Sequence, residues 1–359
     1  MKFMNRRLKR NLLIIAGVFV LLFIILLIFG GNKNDTQRLN YVQIEQKLVD
    51  ASKKYLEKTE LFPQEQADTV IVSSEVLISN NYIKSFDKMT KDTNCFGQVT
   101  IQKSGESYNY MPYLICDNYR TKTFKNEIAS QVRDDSEDGV YLVNNEYIYR
   151  GAKVNNYLKI GEDIWRIIKV TEDGYLKIIK EEHNYNYYTW DNRYNIELNE
   201  YSGLNDFDKS KIEDTLNNSY EKIKSGKEYF VPRYLCINTV QLKSTMSIYS
   251  NNCQSKSIKQ VYMDLPNIYD LTLASLDENC KVLSDKSCNN YNYFKKFFTG
   301  SWSIDKIKDS TSKVAYNSIG YISGEDAKNQ KEIYIIGYIN SNNIIKSGDG
   351  SESNPYIFN

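Results

Sequence analysis

Few residues of this chain have types and spacing that could do chemistry. Its one histidine, His183, lies in Glu181-Glu182-His183-Asn184-Tyr185-Asn186-Tyr187-Tyr188. It stands in a polar, tyrosine-rich stretch and reads as an exposed loop side chain. No HExxH, GxSxG or Gly-rich phosphate loop is present. Asp and Glu are plentiful, but no pair of them stands out. The expectation is therefore a protein that is not an enzyme, with no catalytic residue and no cofactor.

The six cysteines, Cys95, Cys116, Cys236, Cys253, Cys280 and Cys288, carry the clearest chemical signal. Zinc would need a CxxC pair or histidine partners, and only His183 is available. An even cysteine number outside an apolar N-terminal run reads as disulfides formed in an oxidising compartment. Their clustering favours three local pairs, 95–116, 236–253 and 280–288. Asp134, Ser136, Asp138 and Gly139 match the first half of a calcium loop. Its last ligand would be Asn145 rather than a bidentate glutamate, so a solvated turn with no metal is expected. Tyr185, Tyr187, Tyr188, Trp190 and Tyr194 are the candidate ligand-binding residues, since clustered aromatic rings bind sugars and proteins well. The competing reading is that these rings fill their own module's core.

These residues must be positioned by the elements around them. The run Leu12 to Phe29 holds 18 apolar residues without a charge. As a helix it spans about 27 Å, close to the ~30 Å hydrocarbon core of a bilayer. Lys2, Arg6, Arg7, Lys9 and Arg10 precede it, with no acidic residue among them. The positive-inside rule then puts residues 1–11 in the cytoplasm as a basic tail, 12–31 in the membrane as an uncleaved anchor, and the bulk outside the cell. A cleaved signal peptide has a shorter apolar region and a small-residue cleavage site, neither of which is seen here. Formal net charge is +1, from 46 basic and 45 acidic residues. Without the basic tail, 41 basic residues face 45 acidic ones, so no nucleic-acid partner is expected.

The length suggests two modules outside the membrane. In the first, 38–121, Tyr41, Ile44, Leu48, Ala51 and Tyr55 form one stripe of an amphipathic helix over 38–60, with Lys47, Lys53, Lys54 and Lys58 off it. Ser74 to Ile78 reads as a short capped helix. Strands follow over 95–102 and 108–116, around the turn Ser104-Gly105-Glu106, and this hairpin supports the 95–116 pair. Residues 122–138 are poor in apolar residues, end in an acidic cluster and read as a linker. In the second module, 139–359, two β-rich runs flank Glu172-Asp173-Gly174 as a hairpin, with Trp165, Ile167, Leu176 and Ile178 as its buried face. Ser210 and Glu213 form a capping box for a helix carrying Ile212, Leu216, Tyr220 and Ile223 on one face.

Two resemblances follow from these motifs. Asn81-Tyr82-Ile83-Lys84, Cys95 and Tyr113-Leu114-Ile115-Cys116-Asp117-Asn118-Tyr119-Arg120-Thr121 resemble the pilin-like ectodomains of anchored proteins in low-GC Gram-positive bacteria. The prepilin processing residues are missing. Arg150-Gly151, Asn155 to Gly161, Trp165 to Ile179, Ile212 to Tyr220, Tyr234-Leu235-Cys236, Leu271 to Glu278, Gly300 to Ser303 and Ser347 to Ile357 resemble a module common in exported proteins of the same bacteria. That module is similar to formylglycine-generating, sulfatase-modifying domains of C-type-lectin-like α+β fold. Here Ile335-Ile336-Gly337-Tyr338 replaces the usual arginine-proline, and the catalytic cysteines have no counterparts. The fold class implied is α+β: a transmembrane helix, a small pilin-like domain and a β-rich lectin-like module. The function implied is a membrane-tethered surface protein that binds or displays, with a cell-wall glycan or another surface protein as partner. The alternative is a structural, pilin-like envelope component.

Overall fold

The computed structural model describes residues 38–182, 186–243, 253–288, 292–293, 300–318 and 321–358. The expected membrane span, His183 and Tyr185 lie outside them. Among the described residues no helix is long and apolar enough to cross a membrane. The chain is mixed α+β and rich in strand.

Helix α1 (Tyr41–Thr59) begins where Asn40 and Gln43 cap each other's backbone N–H reciprocally. Its stripe of Ile44, Leu48 and Ala51 is buried. That stripe lies on an antiparallel sheet of β1 (Thr69–Ser73), β2 (Phe96–Ser104), β3 (Ser107–Cys116) and β4 (Tyr119–Arg120). Gly97 of β2 admits Leu48, whose methyl would be 2.8 Å from a side-chain carbon built there. Helix α2 (Ser74–Ser79) follows β1 directly, capped by Ser73. The register pairs Phe96 with Ile115, which brings Cys95 beside Cys116, and the two are disulfide-bonded.

The stretch expected as a linker is largely built into the fold. It carries α3 (Phe124–Ala129), whose Phe124 and Ile128 are fully buried. Phe124 packs edge-on against Tyr356 and Phe358, and its N–H donates to the Asn343 carbonyl. Lys122, Lys125 and Ser130 are exposed, and residues 132–137 form the one continuous exposed run of the stretch. Two apolar residues four apart suffice to bury one helical turn, and average composition over the stretch hides them.

Beyond α3 comes a nine-stranded sheet. Its first strands are β5 (Gly139–Val143), β6 (Glu146–Arg150), β7 (Tyr157–Ile160), β8 (Asp163–Val170) and β9 (Tyr175–Lys180). The segment that follows supplies β10 (Tyr188–Thr189), α4 (Ile212–Glu221), β11 (Arg233–Ile237), β12 (Thr239–Val240), β13 (Ser255–Val261), β14 (Met263–Asp264) and α5 (Ile268–Leu273). The remaining strands are β15 (Ser301–Ile307), β16 (Lys313–Ser318), β17 (Tyr321–Asp326), β18 (Gln330–Lys331), β19 (Ile336–Asn340), β20 (Ile345–Ser347) and β21 (Tyr356–Phe358). The large sheet runs β14-β19-β9-β8-β7-β21-β20, with β6 on β8 and β5 on β6. Smaller sheets are β12-β15-β16-β17, β11-β13 and β10-β18.

Trp165, Ile167, Leu176 and Ile178 are fully buried, and so is Ile168 on the opposite face of β8, because the sheet is covered on both sides. Two large buried clusters divide most of the apolar residues, one spanning 44–116 and the other 124–358, and Ile148, Tyr269 and Leu273 form a small third one. The capping box at Ser210 is not formed. The Ser210 hydroxyl turns back to the Phe207 carbonyl, α4 starts after Lys211 without a side-chain cap, and it ends at Glu221 before Ile223. Cys236 is bonded to Cys253, and Cys280 to Cys288.

Candidate functional site

Three strands of the large sheet place three polar side chains in one row. Lys169 of β8 is opposite Lys177 of β9, and Lys177 is opposite Tyr338 of β19. Two ammonium groups directly opposite each other repel. Asp270, from the short helix α5, resolves this by entering between them, 3.0 Å from Lys169 Nζ and 2.5 Å from Lys177 Nζ. The Asn267 side-chain oxygen Oδ1 accepts the Asp270 N–H at 2.7 Å and caps the first turn of α5. Glu146 of β6 accepts from Lys169 at 2.9 Å. Asp264 of β14 accepts from the Tyr338 hydroxyl at 2.8 Å and lies 3.6 Å from Lys177. All five ionisable side chains other than Tyr338 are buried.

Their protonation follows from this packing. Burial holds Glu146 and Asp264 above the ordinary carboxylate range, although lysines face both. Burial would raise Asp270 too, but the ammonium groups of Lys169 and Lys177 outweigh it and hold Asp270 below that range. Burial disfavours charge on both lysines, and the carboxylates around them outweigh it and raise them. The cluster is thus a rigid array of donors and acceptors whose charges nearly cancel.

This array forms part of the wall of a cleft of about 1160 Å³. The turn Glu172-Asp173-Gly174 forms one lip, made possible by Gly174 at φ +87°. There Asp173 pairs with Arg233, whose guanidinium lies 4.3 Å from the centre of the Tyr175 ring. Tyr234, half exposed, stands on the same wall, and Asn238, Gln241, Gln254 and Gln260 add amide groups. The disulfide Cys236–Cys253 ties β11 to the approach to β13 at the rim, and Asp68 reaches the cleft from the first module. The arrangement can offer hydrogen bonds and the half-exposed Tyr234 ring to a ligand.

The aromatic residues singled out from the sequence do not form this cleft. Trp190 is fully buried, with ring centres 6.4 Å from Phe207 and 6.1 Å from Trp302, so it serves the core. Tyr188 lies half-buried in β10, where its carbonyl accepts from the Trp302 indole. Tyr187 and Tyr194 are exposed, Tyr194 edge-on to Tyr201. Asp138 of the calcium-like stretch accepts the Lys153 N–H. The residues missed were Lys169, Lys177 and Asp270. A lysine within Ile167-Ile168-Lys169-Val170 or Leu176-Lys177-Ile178 interrupts an apolar run, the only trace they leave in the sequence. Tyr338 falls in Ile335-Ile336-Gly337-Tyr338, where the sequence departs from the pattern that the expected resemblance would require. Comparison of the chain with protein-family models, with curated proteins and with solved structures finds no match in any of the three.

Proposed function

We propose that the protein is a membrane-tethered surface protein that binds a carbohydrate, such as a cell-wall glycan, in the cleft between β8–β9 and β11–β13, without catalysis. The apolar run 12–29 and its basic flank support the tether, and three disulfides suit an oxidising compartment. The order of motifs supports a pilin-like first module and a C-type-lectin-like second one. The observation that carries the ligand class is the composition of the cleft wall. Tyr175, Tyr234 and Tyr269 line it together with asparagine and glutamine amides, beside a charge cluster close to neutral. Neutral polyols need such flat rings and bidentate amides, whereas a strongly anionic or cationic ligand would need an unbalanced wall.

The test is retention of the full chain on purified cell-wall glycan. Tyr234→Ala is expected to weaken retention about tenfold, equivalent to about 1.4 kcal/mol. Tyr187→Ala and Tyr194→Ala are expected to leave it unchanged. Loss of retention with the latter pair, and none with Tyr234→Ala, would move the site to the exposed loop. No retention by the unaltered chain would favour a structural role in the envelope.

A further inference from the structure

A second cleft, of about 390 Å³, lies on the first module. Lys47 and Lys54, seven residues apart on α1, face it from one side, and Lys84 and Lys88 from the other. All four are exposed, and among the described residues none has a carboxylate partner. One carboxylate lines the cleft, Asp50, which accepts from the Gln46 amide at 3.0 Å. Some lysines elsewhere have acidic partners, as Lys122, Lys180, Lys209, Lys227 and Lys331 do. Four ammonium groups left unneutralised around a concavity make a site for anions. Between them the cleft is apolar, lined by Leu39, Ala51, Ile83 and Met89.

We infer that this cleft seats the phosphate headgroups of an anionic bilayer, the one in which the chain is tethered. The inference rests on the proposed anchor. Leu39, on the wall of the cleft, follows Phe29 of the apolar run by ten residues. Even fully extended, ten residues reach only about 35 Å, so a tether at 12–29 keeps the cleft close to the membrane surface. A basic rim takes the phosphates, and an apolar floor takes the glycerol and the start of the acyl chains. The charged face then holds the first module down on the membrane and turns the ectodomain in one orientation.

The test uses the full chain in lipid discs of phosphatidylglycerol or of phosphatidylcholine. An amine-acylating reagent is applied briefly and each lysine is quantified by peptide mass spectrometry. In phosphatidylglycerol discs Lys47, Lys54, Lys84 and Lys88 should label at least threefold more slowly than in phosphatidylcholine discs. Lys209 and Lys259, exposed on the second module, should label equally in both. High salt should erase the difference, because it screens the attraction. Equal labelling of the four lysines in the two discs would overturn the assignment while leaving the anchor intact. So would slow labelling in phosphatidylcholine discs produced by added soluble polyphosphate with no effect of phosphatidylglycerol, which would make the ligand a free polyanion. A chain that stayed with neither disc would overturn the anchor and the cleft assignment together.

Discussion

Glu45 and Asp270 are both buried carboxylates, one in each module, and their surroundings give them opposite behaviour. Glu45, on α1, has hydroxyls for company: Tyr119 donates at 2.9 Å and Thr121 donates as well. Among the described residues no cation pairs with it, and burial pushes its carboxyl above the ordinary glutamate range. Asp270 has two ammonium groups and is held below the ordinary aspartate range. The first module thus keeps a buried acid that favours its proton. The second keeps a buried anion that its neighbours require. Hydrogen bonds from neutral donors satisfy a carboxylate's geometry, but full opposite charges are needed to keep it ionised out of water.

The comparison breaks most severely at Asp270. Asp270→Asn leaves Lys169 and Lys177 facing each other without the anion between them. The second module should lose about 3–5 kcal/mol, the cost of breaking a buried ion pair. Denaturant unfolding followed by tryptophan fluorescence measures this directly, because Trp165, Trp190 and Trp302 all lie in the second module. Removing charge from both sides sharpens the point. Asp270→Leu combined with Lys177→Met leaves Lys169 with Glu146, and should recover about 2 kcal/mol of that loss, since apolar replacement of a buried pair is often close to neutral. If the double variant were as unstable as the single one, the helix α5 contact rather than the charge would be what matters.

Smaller effects appear on changing pH. A raised carboxyl stabilises the fold most below its unfolded value of about 4.3, and that contribution is lost as pH rises through the raised folded value. Hydrogen exchange in peptides covering 96–116 should therefore slow, relative to the intrinsic rate, as pH falls from neutral toward that range. Glu45→Gln should flatten this dependence. Asp270 works the other way: its contribution is present at neutral pH and above about 3.9, and it fades as pH falls toward its lowered folded value. Peptides covering α5 should lose protection there, and Asp270→Asn should remove that acid sensitivity. The same direction in both regions would refute the contrast.

The elements of both modules were largely legible in the sequence, but the charge cluster was not. Alternation of apolar residues marked the hairpins of 96–116 and 163–180, and cysteine clustering gave the three local disulfides. A period of two tells which residues share a face of a strand, yet not whether that face has a cover. Lys169 and Lys177 alternate with Ile168, Leu176 and Ile178 just as solvent-facing lysines would. Their burial comes from α5, a hundred residues further along the chain, and nothing local foretells it. Trp190 misled in the opposite sense: a tyrosine-rich polar neighbourhood suggested a surface, while Phe207 and Trp302 enclose its ring. The cap expected at Ser210 failed because a serine hydroxyl can satisfy a preceding carbonyl as readily as a following N–H.

The place of β21 sets an order of events in folding. It is inserted between β7 and β20, parallel to β7, with Tyr356 opposite Leu158. Its Tyr356 and Phe358 also close over Phe124 of α3. About two hundred residues separate Tyr356 from Leu158, and more separate it from Phe124, so their pairing carries a large loop-closure cost and comes late. The disulfides span only 21, 17 and 8 residues and can close on nascent chain as soon as it meets an oxidant. A variant ending at Asn354 should thus still map to the same three disulfides while α3 exchanges its amide hydrogens freely, its lid never having arrived.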